Sequence, residues 1–153
     1  MKQTTAQNVM TKKVQSVSPK MRLSALIQKL KKTKFSGFPV VDGNRKVIGL
    51  ISQNDVLRAL AHGTKGFQKG KRKASTRLLK GSAVDAEALL SQPVRALMTP
   101  RTITCKPETP LTGVCSLMVK NRIQRVVVVN EKKQIVGLVS ATDVLRWIAR
   151  GRS

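Results

Sequence analysis

Apolar residues along this chain recur with two different periods, and those periods alternate in the same order in both halves. Leu23, Leu26, Ile27 and Leu30 form an i, i+3, i+4, i+7 stripe, the mark of a helix with one face turned to a core. Leu111, Val114, Cys115 and Met118 repeat it. Two short apolar runs follow each stripe: Phe38 to Val41 and Val47 to Ile51, then Val126 to Val129 and Ile135 to Val139. Asp42-Gly43 separates the first pair, and its tolerance of positive φ predicts a tight hairpin turn. The runs are continuous rather than alternating, so both faces of each hairpin are expected to be covered.

A closing helix is predicted from Val56, Leu57, Leu60 and Ala61, and again from Val144, Leu145, Ile148 and Ala149. Each unit is expected to open with a short strand, near Val14 to Val17 and Thr102 to Cys105. Thr109 and Pro110 read as the N-cap and first residue of the second stripe's helix, because proline needs no amide donor there. A short helix is expected from Val84 to Leu90, ended by Pro93.

The repetition is one of sequence as well as pattern. Shifted by 88 positions against itself, the chain places Met10-Thr11 on Met98-Thr99, Pro19 on Pro107, Val40-Val41 on Val128-Val129 and Gly49-Leu50 on Gly137-Leu138. Over residues 9–63 this register gives 16 identities in 55 positions without a gap. The chain is thus read as a mixed α/β (α+β) protein of two β-α-β-β-α units. The first unit covers residues 1–62, a basic linker with a short helix covers 63–93, and the second unit covers 94–153.

Composition narrows the chemistry. Thirty Lys and Arg against seven Asp and Glu give a net charge of +23, a surface that attracts phosphate-bearing partners. The charge concentrates in the linker, where Lys65, Lys69, Lys71, Arg72, Lys73, Arg77 and Lys80 stand among Gly63, Gly66 and Gly70 without one acid. Those cations are candidate polyanion contacts, and binding of nucleic acid or another polyanion is the alternative function. Three Phe, one Trp and no Tyr provide little for a base-stacking platform. Gly63-Thr64-Lys65-Gly66 matches a KH-type GxxG loop outside that fold, and Gly66 to Lys71 is one residue short of a phosphate loop.

Two cysteines, Cys105 and Cys115, and a lone His62 make neither a disulfide framework nor a metal set. Neither a signal peptide nor a membrane span is expected, which points to a cytoplasmic protein. No catalytic residue is assigned, so the chain is not expected to be an enzyme.

The strongest chemical signal is a string that recurs at the end of each hairpin: Gly49-Leu-Ile-Ser52-Gln-Asn-Asp55 and Gly137-Leu-Val-Ser140-Ala-Thr-Asp143. A serine where a helix begins, an acid three residues on and free amides between them suit the phosphate and hydroxyls of a ribose phosphate. The same Ser-x-x-Asp also suits a capping box, in which the two side chains only satisfy the first helical turn. The residues by themselves leave both readings open.

With its opening Met-Thr and closing Gly-hydrophobic-hydrophobic-Ser-x-x-Asp, each unit resembles the cystathionine β-synthase (CBS) domain, over residues 6–62 and 94–150. Two in tandem resemble a Bateman module. The resemblance implies a pair packed through its sheets about a pseudo-twofold axis, with clefts for an adenosine-containing ligand such as AMP, ADP, ATP or S-adenosylmethionine. It further implies a regulatory module, often a homodimer, that signals by conformational change to a partner protein.

By position, Asp55 and Asp143 would hold ribose hydroxyls, and Ser52 and Ser140 would lie near ribose or phosphate. Adenine would lie against Val14, Gln15 and Ser16 or against Thr102, Ile103 and Thr104. Gly37, Phe38 and Pro39, or Arg125, Val126 and Val127, would close the pocket. Asn54 and Thr142 stand where family members often carry a basic residue, so Lys34, Arg122 or Arg125 would have to supply the phosphate grip. Arg122 and Arg125 favour the second cleft.

Overall fold

The computed structural model describes residues 3–62 and 86–151. The elements run α1 (Ala6–Val9), α2 (Leu23–Thr33), β1 (Gly37–Val41), β2 (Val47–Ser52), α3 (Gln53–His62), α4 (Ala86–Ser91), α5 (Val94–Leu97), β3 (Thr104–Cys105), α6 (Leu111–Asn121), β4 (Arg125–Val129), β5 (Ile135–Ser140) and α7 (Ala141–Ala149). The linker cations from Lys65 to Lys80 lie outside the described residues.

The two helical stripes become α2 and α6. Leu23, Leu26 and Leu30 are buried on one, Leu111, Val114 and Met118 on the other. Both helices end in a left-handed residue, Lys34 at φ 57° and Arg122 at φ 54°. The start of α6 differs from the expectation by one residue: Pro110 is the N-cap and Leu111 the first helical position. Thr109 Oγ1 instead accepts the Lys106 amide at 3.0 Å, closing the turn before the helix.

Both hairpins form in equivalent registers, Gly37 opposite Ser52 and Arg125 opposite Ser140, with a shift before the last pair of each. The turn uses a different residue from the one expected. Positive φ falls on Arg45 (62°) and Lys133 (61°), not on Gly43. What shapes the turn is Asp42, whose Oδ1 accepts the amides of Asn44 (2.8 Å) and Lys46 (3.0 Å). Asn130 Oδ1 does the same for Lys132 and Gln134. A short side-chain acceptor at the first position thus replaces glycine as the turn-maker.

The opening strands are shorter than predicted. β3 runs parallel to β4 through two residue pairs, while in the first unit the strand shrinks to a single Val17–Val40 bridge. The result is a two-stranded sheet β1-β2 and a three-stranded sheet β3-β4-β5. They face one another through Val127, Val129 and Ile135, packed against Val14, Val41, Val47, Leu50 and Leu138. This inter-sheet core, with the helices on the outer faces, is why the strand runs read as continuously apolar.

The segments that open each unit cross to the other one. The Ala6 amide donates to Thr109 O (2.8 Å) and the Leu111 amide to Thr4 O (2.9 Å). Val94 to Met21 and Leu23 to Gln92, both 2.8 Å, repeat the exchange. Ala6 is therefore buried in the core of the second unit, and Val94 and Leu97 in that of the first. Thr11 exchanges two backbone hydrogen bonds with Leu138, and Thr99 two with Leu50.

The closing helices bury less than their stripes predicted. Val56 and Ala59 are buried on α3, and no residue of α7 is. Leu57, Leu60, Leu145 and Ile148 are exposed. Cys105 is buried and Cys115 half-buried, both as free thiols. Among the described residues no helix is long and apolar enough to cross a membrane.

Candidate functional site

Each Ser-x-x-Asp string sits where a central strand passes directly into the closing helix, β2 into α3 and β5 into α7. Asp55 is 5% exposed, and its Oδ2 accepts the Ser52 amide at 2.7 Å and the Ser52 hydroxyl at 2.9 Å. Asp143 Oδ2 accepts the same two donors from Ser140, at 2.9 and 2.7 Å, and its own amide donates to Ser140 Oγ at 3.1 Å. The capping box is complete at Ser140 and Asp143, whereas at Ser52 and Asp55 only the bonds to the carboxylate are made among the described residues; in both strings one carboxylate oxygen is engaged. Oδ1 of Asp143 meets the Arg146 guanidinium at 3.3 Å, whereas Oδ1 of Asp55 has no such partner among the described residues.

The helix-start amides are less open than the sequence suggested. Gln53 donates to Ser36 O and Ala141 to Gln124 O, both at 2.9 Å. These bonds tie the helix start to the segment entering the neighbouring strand, leaving the amides of Asn54 and Thr142 unengaged among the described residues. The side chains of Asn54 and Thr142 are exposed.

The remaining candidates separate into walls and core. Phe38, Val126 and Val127 are nearly inaccessible and Pro39 is buried, so any contact they make with a ligand would be through backbone. Gly37 must lack a side chain, because a Cβ there would stand 2.6 Å from the Ile51 carbonyl oxygen. Its equivalent Arg125 is half-buried directly opposite Ser140, which brings a cation to the second string and none to the same point of the first. Lys34 and Arg122 are exposed at the ends of α2 and α6.

The opening segments differ most. Val14 packs into the inter-sheet core, while Gln15 is exposed and Ser16 half-buried. In the second unit Ile103 is half-buried and Thr104 exposed, and Thr102 stands where the first has Val14. Thr102 Oγ1 is buried without a hydrogen-bond partner, the one such side-chain atom among the described residues. Sequence reasoning placed Thr102 in the cleft but could not see this orphaned hydroxyl, since it depends on what the opposite sheet fails to offer.

A family model described as the CBS domain matches residues 6–62 and 94–150. The uncharacterized protein MJ1426 of Methanocaldococcus jannaschii is 26% identical over 130 residues, covering 78% of this chain and 77% of that protein. Inosine-5'-monophosphate dehydrogenase of Haemophilus influenzae is 28% identical over 130 residues, 84% of this chain but only 21% of the enzyme. Among solved structures, CBSX2 in complex with AMP superposes with a TM-score of 0.75 at 21% identity, covering 97% of this chain and 98% of that one. The CBS domain pair of protein MJ0100, in complex with 5-methylthioadenosine and S-adenosyl-L-methionine, gives a TM-score of 0.70 at 20% identity, with the same coverage.

Proposed function

The chain belongs to the CBS-domain family, and from that membership we propose that it is a regulatory module that binds an adenosine-containing ligand in the cleft of its second unit. The carrying observation is the buried, unpartnered Thr102 hydroxyl. A buried hydroxyl left without a partner costs about 1–3 kcal/mol. An adenine edge, which both donates and accepts, relieves that cost when it lies on the opening strand.

The rest of the second cleft supports the reading. Asp143 retains Oδ1 for a ribose hydroxyl once Arg146 moves aside, and Arg125, opposite Ser140, is the cation placed to meet a phosphate. Val14 and Gly37 offer neither group at the equivalent points of the first unit. The AMP of CBSX2 and the S-adenosyl-L-methionine of MJ0100 define the ligand class to test.

The exposed apolar face is where a second copy of the chain would pack. Leu57 and Leu60 of α3 recur as Leu145 and Ile148 of α7, so one surface is presented twice. An open apolar groove of about 340 Å³ beside α7, lined by Cys115, Met118, Val119, Val144 and Leu145, continues that face.

Calorimetric titration with AMP, ADP, ATP and S-adenosylmethionine at moderate salt tests the proposal, with GTP as the charge control. Adenine-selective, saturable binding that Asp143→Ala abolishes and Asp55→Ala spares is the expected result. Equal binding of ATP and GTP that ignores both substitutions would overturn it.

A further inference from the structure

Alongside α2 of the first unit, Gln15, Gln28, Lys29, Lys32 and Thr33 line an open groove of about 580 Å³, with Gln15, Gln28 and Lys32 exposed to solvent. None of the Ser-x-x-Asp residues lines it. No acid lines it either, and neither lysine pairs with a carboxylate among the described residues.

Lys29 is held rather than loose. Its Nζ stands 5.2 Å from the centre of the Phe38 ring and 3.5 Å from the Ser16 carbonyl oxygen. Phe38 is in turn fixed in the core and braced by Phe35, ring centres 5.8 Å apart. Attraction to an aromatic face and to one carbonyl positions an ammonium while leaving donors over for an anion. Gln15 and Gln28 add amide donors that need no change of charge.

The second unit is an internal control. At the equivalent positions stand Ile103, Ser116, Leu117, Lys120 and Asn121, and Leu117 packs against the second core. The fold therefore accepts apolar residues where the first unit has Gln15 and Lys29, and no packing requirement explains the polar set.

We propose that this groove is a phosphate-binding site separate from the nucleotide cleft of the second unit and bordering the opening segment of the first, with Lys29 and Lys32 supplying charge and Gln15 and Gln28 supplying directed hydrogen bonds. The phosphate could belong to a small free metabolite or to a nucleic-acid backbone; the shared chemistry is a tetrahedral oxyanion.

The test titrates the full chain with pyrophosphate by calorimetry, comparing Lys29→Leu, Lys32→Gln and Lys31→Gln. Lys29→Leu keeps a residue the fold already holds at position 117. Loss of one charge-assisted hydrogen bond predicts roughly tenfold weakening for Lys29→Leu and for Lys32→Gln. Lys31→Gln, on the same helix but outside the groove, should change affinity by less than about twofold. A short single-stranded RNA that displaces pyrophosphate, and is itself weakened by Lys29→Leu, identifies the source as a nucleic-acid backbone; failure to displace it identifies a small phosphate compound. Absence of saturable binding, or equal weakening by all three substitutions, overturns the site. So does loss of pyrophosphate binding in Asp143→Ala with Lys29→Leu unaffected, because the anion would then belong to the cleft.

Discussion

Met10 occupies the space in which Gly137 would carry a side chain: Sδ, Cγ and Cβ of Met10, from the first unit, crowd the point where a Cβ on Gly137 would stand. The relation recurs between Gly49 and the Met98-Thr99 pair, with the Thr99 carbonyl oxygen 2.6 Å from such a Cβ. The glycine of each closing string and the Met-Thr of each opening are thus two halves of one contact made across the units.

This contact predicts an order of stabilities. Gly49→Ala meets backbone, which cannot retreat, and should cost about 2–3 kcal/mol. Gly137→Ala meets a flexible methionine and should cost about 1 kcal/mol. Gly43→Ala, with nothing within 4 Å, should be near neutral. Urea unfolding followed by the emission of Trp147 measures all three. A Gly137→Ala variant less stable than Gly49→Ala would contradict the assignment.

Thr102→Val converts the second opening segment to the residue the first unit carries at position 14. Removing an unpartnered buried hydroxyl should stabilise the ligand-free protein by about 1 kcal/mol. The same change should weaken adenine-nucleotide binding by roughly tenfold. Stability and affinity moving in opposite directions is the expected signature, read by thermal unfolding with and without AMP. A variant that loses stability would mean that the hydroxyl has a partner within the fold.

Burial pushes the Cys105 thiol up to about 11 from an ordinary 9.0, with a hydrogen bond to Thr109 opposing the shift. The folded protein therefore keeps a proton that the unfolded chain releases above its own pKa, so this group's contribution to stability declines as pH rises from about 9 toward 11. Unfolding free energies compared between the native chain and Cys105→Ala should converge over that window. Thiol labelling at pH 8 should modify the half-buried Cys115 before Cys105. Equal labelling rates would contradict the burial.

Leu145 and Ile148 are 66% and 57% exposed on a helix whose other residues also fail to reach full burial. Replacing both with lysine should leave the fold intact and shift the protein from dimer to monomer in sedimentation velocity at micromolar concentration. A native chain that remains monomeric across the concentration range would count against a second copy as the occupant of this face.

Much of this architecture was legible in the residues. The stripe beginning at Leu23, the paired runs ending at Ile51 and the 88-residue repeat correctly gave the helices, hairpins and pairing of units, because period and repetition are local or self-referential properties. Several local details were not legible. Arg45 takes the positive φ expected near Gly43, because the Asp42 carboxylate organises the turn. Thr109 closes a turn instead of capping α6. The Val14–Val17 strand shrinks to one bridge. Each turns on which hydrogen-bond partner wins a local competition.

At the candidate site, the string Ser-x-x-Asp allowed two readings, and the structure shows the capping contacts made through one carboxylate oxygen of each aspartate. By itself the sequence determined the number of units, their elements and the positions of Ser52, Asp55, Ser140 and Asp143 at strand-to-helix junctions. Only the tertiary structure decided that each Met-Thr packs on the other unit's glycine, that Thr102 Oγ1 is left without a partner while Val14 is absorbed into the core, and that Lys29 is pinned over Phe38. Periodicity records which way a residue faces along its own element; what it meets there depends on residues far away in the chain, and those distances close only on folding.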